Sequence, residues 1–444
     1  MSDIIQDMKA VEALVGQGLD YAKQLGVTGA EMAISRQTGI SVSTRLGEVE
    51  NIEFNKDGAL GVTVFRGKAK GSASTSDLRV EAIREAVEAA DRIARLTSED
   101  EANGMADPDM LALAYPDLGL YHPADLDPAQ AIAYAKRCEE AALAADPRIS
   151  NSDGASFASH TGFKVYGNTA GMLGSYPSSR HSLSCVVIAK DGEQMERDYD
   201  YSIARRLDLL DDAEALGRSA ARNTLARLGA QKLGTMQVPV LFQADVATGL
   251  WGHLVGAISG GSLYRRSSFL LDSLGTQVLP DFVQISEDPH VLGGLASTPF
   301  DSEGVRTVKR NIIDGGVLQT YLLTSYSGRR LGMQTTGHAG GIHNWYVKGN
   351  GDDFAAMVKR LDRGLIVTEL MGQGINMVTG DYSRGAGGFW VENGQIQYPV
   401  SEITIAGNLK DMLMGISAIG SDEERRGGIH TGSVLIDRMT IAGN

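Results

Sequence analysis

A segment near the middle of the chain carries the residues whose spacing comes closest to that of a catalytic metal helix. Apolar residues and one histidine recur there at helical spacing: Val246, Leu250, His253, Leu254 and Ala257. A helical zinc site needs two ligands one turn apart and a carboxylate base, as in H-E-x-x-H, because residues i and i+4 share a face. His253 has Leu254 beside it and Ala257 one turn later. With no second ligand and no base, the segment predicts a helix that binds no metal.

The same segment, residues 245–273, also carries a row of glycines. Gly252, Gly256 and Gly260 follow one another at intervals of four residues, which predicts a stripe along another face of the helix. A glycine inside a helix costs about 1 kcal/mol relative to alanine. Three glycines in register therefore predict that a strand, a partner chain or a ligand approaches the helix backbone closely.

Two histidines in a glycine-rich loop form the next candidate site. His338 and His343 lie in the string GHAGGIHNW, where they could bind a metal ion or transfer protons. Their spacing of five does not place them on one helix face, and no Asp or Glu within the string orients either ring. Both rings could still converge on one groove. We favour a structural role or substrate contact over proton transfer and metal binding.

Five charged residues complete the set of candidates. In a strand, Asp301 and Glu303 would share a face, so they could form a carboxylate pair for acid/base chemistry or brace a turn. Arg265, Arg266 and Arg384 carry planar guanidinium groups that can fix a peptide carboxylate or an acidic group of a partner. Solvation at the surface explains these arginines equally well, so both interpretations stay open.

Nucleotide binding and serine-nucleophile chemistry are not indicated. Glycine strings occur at 249–261, 372–374 and 385–388. None has the phosphate-loop spacing with its lysine, and none follows the strand, turn and helix order of a dinucleotide-binding motif. The G-x-S-x-G elbow of serine hydrolases is also absent from the sequence.

The composition is ordinary for a soluble globular protein. The 41 basic and 55 acidic residues give a formal charge of -14, which opposes binding to nucleic acid or to anionic lipid. No apolar run approaches the roughly 18 residues of a membrane span, and the N-terminus lacks a signal-peptide pattern. Cys138, predicted on a helix, and Cys185, predicted in a strand, are too few and too far apart for a disulfide framework. We expect a cytoplasmic protein.

The periodicity of the first half predicts an α+β domain over residues 1–230. Helices are predicted at 4–25, 77–96, 129–145 and 213–228, the third capped by Asp127 and started by Pro128. Strands are predicted over 30–66, with a turn from Asn55 to Gly58, and over 155–190. The polar, proline-bearing stretch 97–126 predicts an excursion of the chain or a subdomain joint.

The second half of the sequence predicts a strand-dominated domain over residues 231–444. It holds 34 of the 54 glycines, against 20 in residues 1–230, which indicates tight turns and close backbone approaches. Hairpins are predicted at Gly315-Gly316 and Asn393-Gly394. A chain of 444 residues exceeds one hydrophobic core, so two or three domains are expected, with an overall α+β fold.

Several long strings of this sequence, in the same order along the chain, resemble the PmbA (TldE) branch of the TldD/PmbA family. The resemblance starts at GISVSTRLGEVENIEFNKDGALGV and covers nearly the whole chain. Besides the segment 245–273, it rests on the following strings: STPFDSEGVRT, GHAGGIHNW, TGDYSRGAGGFWVENG and SEITIAGNLKDM. Matches of this length are far more specific than any short motif.

The resemblance implies that the metal-site positions of the related TldD branch are replaced in this chain. In TldD the equivalent helix carries H-E-x-x-x-H, two arginines follow it, and a cysteine near the C-terminus is a further ligand. Matching the arginines to residues 265–266 places the three helix positions on Gly252, His253 and Ala257. The cysteine position falls within one residue of Thr431. The D-x-E-G string also occurs in TldD away from the zinc, which favours a turn or a supporting role for residues 301–304.

By this resemblance, the chain would shape a peptide-binding site without supplying the metal or a catalytic residue. TldD would contribute the zinc, its ligands and the base, while a peptide lies along a strand edge or the glycine face of this chain. The expected contacts with peptide or partner, the first four ahead of the last four, are Gly252, His253, Gly256, Gly260, Arg265, Arg266, His338 and His343.

The resemblance further implies a bacterial protein that pairs with TldD to form a zinc peptidase acting on unfolded peptides. The family is associated with leader-peptide removal during microcin maturation and with degradation of an antitoxin. No cofactor is expected in this chain, and zinc is expected in the TldD partner; a homodimer also remains open. The alternatives are a non-catalytic homodimeric peptide-binding or scaffold protein, and an independent hydrolase with an unrecognised site.

Overall fold

The first part of the chain forms one antiparallel sheet covered on one face by four helices. The computed structural model describes residues 4–443, so the first three residues and Asn444 lie outside the described residues. The sheet order is β3-β2-β1-β4-β5-β6. The elements are α1 (Ile4–Gln24), β1 (Gly29–Arg45), β2 (Glu48–Arg66), β3 (Ala69–Thr75), α2 (Val80–Leu96), α3 (Pro128–Leu143), β4 (Ile149–Asn168), β5 (Leu173–Asp191), β6 (Gln194–Ala204) and α4 (Ala213–Ala226).

Period-two alternation in the strands decides which face the helices cover. Side chains of β1 alternate across the sheet, and its buried apolar residues point toward the helices: Ala30, Met32, Ile34, Ile40 and Val42. The first three pack under α1 and α2, and the last two pack under α3 and α4. The opposite face of the sheet remains available to the second part of the chain.

The predicted turn from Asn55 to Gly58 is wrong. β2 runs through these residues, with Asn55 opposite Gly39 and Gly58 opposite Arg36 on β1. The chain reverses instead at Leu46 and Gly47, both with positive φ (51° and 80°). The Asn-Lys-Asp-Gly sequence has turn chemistry, but long cross-strand pairing with β1 outweighs that local preference.

The predicted capping of α3 is confirmed, whereas α2 begins later than predicted. The Asp127 carboxylate accepts the Gln130 backbone N–H at 2.8 Å, and the Gln130 side chain accepts the Asp127 N–H at 2.9 Å. Asp77, where the second helix was predicted to begin, accepts the backbone N–H of Arg79. Asp77 thus forms a turn ahead of the helix, which starts at Val80.

The second part of the chain is a strand-rich domain built on two sheets. Their orders are β10-β9-β8-β11-β16 and β14-β13-β12-β7-β17-β15, and a β14–β17 pairing closes the second into a barrel. The elements are β7 (Met236–Phe242), α5 (Ala244–Ile258), α6 (Gly260–Tyr264), β8 (Ile285–Asp288), β9 (Arg310–Asp314), β10 (Val317–Leu318), α7 (Ser325–Arg330), β11 (Asn344–Val347), α8 (Phe354–Leu361), β12 (Gly364–Met371), β13 (Asp381–Glu392), β14 (Gln395–Asn408), α9 (Leu409–Met414), β15 (Ile416–Ile419), β16 (Ile429–His430) and β17 (Val434–Ala442). Both predicted hairpins are present.

The segment 97–126 fastens the two parts together. It contains little regular structure and runs along the second part, where Leu111 forms an isolated bridge with Val305. The Arg329 guanidinium, at the end of α7, donates to the carbonyls of Ala102 and Gly104 at 3.3 and 3.0 Å. The predicted joint is therefore a strap held by backbone carbonyls and by side chains such as Asp107, which pairs with Arg329 at 2.9 Å.

The remaining sequence expectations concern cysteines and membrane spans. Cys138 lies on α3 and Cys185 on β5, as predicted, and both thiols are buried and free. Among residues 4–443, no helix is both long and apolar enough to cross a membrane.

The close contact between α3 and α4 yields a first prediction. A Cβ added at Gly217 would lie 2.0 Å from the Cys138 carbonyl oxygen, so Gly217→Ala must push α4 away from α3. We expect a loss of about 1–3 kcal/mol in the free energy of unfolding, measured by urea denaturation. In the control Gly16→Ala on α1, the nearest atom is 3.8 Å away, and stability should stay level or rise by up to about 1 kcal/mol. Equal losses in the two variants would contradict this packing.

Candidate functional site

Helix α5 leaves the barrel strand β7 with one apolar face inward and one glycine-bearing face outward. Leu250, Trp251 and Leu254 are each at most 2% exposed and belong to the core of the second part. Gly252 lies on the outer face and is exposed. A Cβ built at Gly252 or at Gly249 would meet no atom within 4 Å. This open glycine face leaves backbone accessible to a partner or a peptide.

The predicted stripe of three glycines does not continue along one helix. α5 ends at Ile258 because Ser259 is extended (ψ 134°). Leu322 forms hydrogen bonds with the backbone on either side of Ser259, and the Gly260 N–H donates to the Leu322 carbonyl at 2.8 Å. A Cβ at Gly260 would lie 2.2 Å from Ser327 Oγ, and one at Gly256 would lie 3.3 Å from Met377 Cε. The expectation that Gly260 belongs to the open face is therefore wrong, since this glycine allows α6 to pack on α7.

The positions that correspond to metal ligands are occupied by groups that cannot form a metal site. The Trp251 indole N–H donates to Thr431 Oγ1 at 2.9 Å, and both side chains are fully buried. Ala257 is fully buried as well, and Gly252 has no side chain. His253 is the only nitrogen, oxygen or sulfur ligand of the usual kind among these helix positions. A zinc site needs three or four such donors, so the residues present do not fit the metal.

His253 lies beside a tyrosine and an arginine of β13. Its ring meets the Tyr382 ring edge to face, with centroids 5.9 Å apart. Burial, and then the nearby positive charge of Arg384, lower the pKa of His253, so the ring is neutral near pH 7. Burial raises the pKa of Tyr382 to about 12. Arg384 Nε is buried and has no hydrogen-bond partner among the described residues. A neutral imidazole and a guanidinium with spare donor capacity suit recognition of backbone carbonyls.

A free strand edge lies next to the N-terminus of α5. Residues Leu365–Val367 of β12 pair with β7, and Gln243 N–H donates to the Val367 carbonyl at 3.0 Å. Residues 369–371 pair only with β13, on the other side of β12, within the described chain. Unpaired N–H and C=O groups on such an edge are a template for adding an extended peptide.

Arg265 and Arg266 do not join His253 in one cluster. Arg265 lies 5.2 Å from the centroid of the Tyr264 ring and donates to its hydroxyl at 3.0 Å. Arg266 is exposed and has a positive φ of 55° after the end of α6. Within residues 4–443, no hydrogen bond, ion pair or ring contact connects either arginine to His253. The two arginines present charge at a different part of the surface.

His338 and His343 do converge, but in the interior and around a glutamate that their own string does not contain. His338 Nε2 lies 2.9 Å from Glu287 Oε2, and the His343 backbone N–H donates to Glu287 Oε1 at 2.8 Å. The two rings stack with centroids 5.4 Å apart. Trp345 Nε1 also donates to Glu287, at 3.2 Å. The sequence signal that could have revealed this glutamate is its position two residues after Ile285, which places both side chains on the buried face of β8.

Electrostatics mark this cluster as a structural network. Burial favours the neutral acid, yet the hydrogen bond and charge of His338 outweigh it and lower the pKa of Glu287. Burial lowers the pKa of His343, and its Nε2 donates to the Gly337 carbonyl at 3.0 Å. The potential ligand atoms of the three residues lie within 4.8 Å of one another. A metal ion at this cluster would have to displace the hydrogen bonds that Glu287 and His343 already make.

Asp301 and Glu303 brace turns. Asp301 Oδ1 accepts the backbone N–H groups of Glu303 and Val305 at 2.8 and 2.9 Å, and its Oδ2 accepts that of Ala339 at 3.0 Å. Glu303 Oε2 accepts the Ser325 N–H at the start of α7. The two carboxylates therefore serve separate backbone sites and share no proton-transfer geometry.

Comparisons with known proteins settle the family. Models of the PmbA/TldA metallopeptidases match residues 30–94 as domain 1, 121–228 as the central domain and 235–443 as the C-terminal domain. The chain is 58% identical over 443 residues to the metalloprotease PmbA of Escherichia coli O157:H7, covering 100% of this chain and 98% of the relative. The chain belongs to the PmbA branch of the TldD/PmbA family. This is a family of peptidases by the names its members carry.

Solved structures share the whole fold. One from Bacteroides thetaiotaomicron, named as a candidate modulator of DNA gyrase, is 26% identical with a TM-score of 0.92 and covers 97% of this chain and 98% of that one. TldE from Thermococcus kodakarensis has a TM-score of 0.82 at 20% identity, over 97% of this chain and 100% of that one. The second likeness concerns the fold alone.

The Glu287 network yields the second prediction. Glu287→Gln removes the charge that faces His338 and Arg310, and breaking a fully buried pair should lower the free energy of unfolding by about 3 kcal/mol. Because the pKa of Glu287 is lowered in the folded state, its stabilisation is complete above the ordinary glutamate range and is lost as the pH falls through the lowered value. Thermal melts of Glu287→Gln should therefore depend less on pH toward the acid side.

Glu402→Gln, which removes an exposed pair with Lys232, is the control and should cost under about 1 kcal/mol. Equal losses for both would show that the network carries no stability.

Proposed function

We infer that this chain is the zinc-free subunit of a TldD/TldE-type peptidase and forms one wall of a shared peptide chamber. The carrying observation is the open face of α5, where Gly249 and Gly252 expose backbone at the position that, by resemblance, bears metal ligands in TldD. A helix that keeps costly glycines without catalytic residues is best explained by close approach of another chain or of a peptide.

The metal-ligand residues that each chain carries decide which subunit would supply the zinc. A single zinc ion can polarise a peptide carbonyl and activate water, so one metal-bearing subunit per chamber is sufficient for hydrolysis. This chain would bind and orient the substrate. The free edge of β12 at 369–371 would pair with the peptide backbone, and His253 with Arg384 would contact its carbonyls. A peptide that joins a strand edge must be extended, which matches unfolded substrates such as leader peptides or an antitoxin.

The third prediction tests pairing, metal content and activity together. The purified chain should contain no stoichiometric zinc by elemental analysis and should not cleave an unfolded peptide. Mixing it with a TldD-type partner should yield a mixed complex with proteolysis that neither chain has alone. Replacing the partner's zinc-site glutamate should abolish this activity, while His253→Ala should leave measurable turnover. A purified chain with about one tightly held zinc, or one that cleaves peptide alone, would overturn the proposal, and a homodimer that binds but never cleaves would favour the scaffold alternative.

The open glycine face yields the fourth prediction. Gly252→Leu adds a side chain into open space, so the melting temperature should stay level or rise slightly as helix propensity improves. The same side chain should block close approach, reducing formation of the mixed complex or its peptidase activity at least about tenfold. Ala13→Leu, on the exposed face of α1, controls for added surface hydrophobicity. A Gly252→Leu chain that pairs and supports cleavage normally would show that this glycine is merely tolerated.

A further inference from the structure

A cavity of about 500 Å³ lies where the uncovered face of the first sheet meets two loops of the second part. Ser35, Lys164 and Tyr176 lie side by side on β1, β4 and β5 and form its floor. The loops at 295–302 and 339–343 form the opposite wall. This volume falls within the roughly 300–1,000 Å³ range of small-molecule sites. The cavity is separate from the open glycine face of α5, and its role does not depend on the proposed pairing.

The cavity lining includes two positively charged side chains that form no ion pair among the described residues. Lys164 and Arg205 both line it, and within residues 4–443 neither forms an ion pair with a carboxylate. Arg205 donates to the carbonyls of Ser179 at 3.1 Å and Leu295 at 2.8 Å, but its Nε is buried with no partner. Burial lowers the pKa of Arg205. A largely desolvated guanidinium without a counter-charge is costly, and a bound carboxylate would remove that cost.

The other wall offers acceptors. Asp301 is 3% exposed, and its Oδ2 accepts one hydrogen bond, from the Ala339 N–H, which leaves room for a second donor. His343 also lines the cavity, and with Nε2 donating to Gly337 its Nδ1 lone pair is an acceptor. Phe300 and Ile342 add apolar surface to the lining. The cavity lining therefore combines two cations, Lys164 on β4 and Arg205 after β6, with acceptors on the two loops.

We propose that this cavity binds a small zwitterion, an amino acid or a dipeptide, with its carboxylate at Lys164 and Arg205 and its ammonium group at Asp301 and His343. The apolar strip formed by Phe300 and Ile342 accommodates the ligand side chain. A purely anionic ligand would leave the acceptors of Asp301 and His343 without a donor, and a purely cationic ligand would face the two cations, so a ligand with both groups satisfies the lining best.

The test titrates the full chain with the free dipeptide alanyl-phenylalanine and measures binding by isothermal titration calorimetry. Acetylating its N-terminus or amidating its C-terminus should each weaken binding at least about tenfold, because each removes one charged hydrogen-bonding group. Lys164→Met should weaken binding of the free dipeptide by a similar factor while leaving the C-terminal amide unaffected. The Lys164 side chain is exposed and makes no hydrogen bond or ion pair within the described chain, so this variant should fold normally.

Matched variants separate the site from general effects. Lys190→Met, at the far end of β5, should leave dipeptide binding unchanged. Arg205→Gln should abolish binding, and its thermal melt shows whether it has folded. If the free and capped dipeptides bind equally, or none binds, or Lys164→Met binds as the unaltered chain does, the cavity holds only water and the proposal is wrong. These outcomes do not depend on whether the chain pairs with a TldD-type partner.

Discussion

The hydrogen bond from the Trp251 indole to Thr431 Oγ1 fixes the position of α5, on which the candidate site depends. Both side chains are fully buried, and an indole N–H without an acceptor in the interior would cost about 1–3 kcal/mol. The bond ties the helix to the segment between β16 and β17. With the inward face fixed in this way, Gly249 and Gly252 are necessarily turned outward. A structural contact thus occupies the region where, by resemblance, the related branch holds its metal.

Features governed by local chemistry were predictable from the sequence. The cap at Asp127, the hairpin at Asn393-Gly394 and the placement of Cys138 and Cys185 follow from short-range preferences and hydrophobic period, and the structure has all of them. The α+β class also followed from these patterns. The identity of the family followed from long matching strings, which no periodicity argument could have supplied.

The errors arose where distant residues override a local pattern. At Asn55, pairing with β1 outweighs the local preference for a turn. The helical spacing of the glycines is interrupted because Leu322 forms backbone hydrogen bonds on both sides of Ser259. The glutamate that orients His338 is 51 residues away in sequence, so a search within the histidine string could not find it. The free edge of β12 likewise depends on how far its neighbour β7 extends.

The strap formed by residues 97–126 has a consequence for how this chain can vary. Arg329 holds it through the carbonyl oxygens of Ala102 and Gly104, which every amino acid presents in the same way. Substitutions at exposed positions of the strap whose side chains make no contact can therefore accumulate without loosening it, provided that the chain path is kept. Arg329 itself cannot be replaced in this way, because lysine lacks the planar fork that reaches several carbonyls together. One side chain on α7 thus carries a constraint that it shares with a few contacts of the strap's own side chains, among them Asp107 with Arg329 and Asp100 with the Tyr326 hydroxyl.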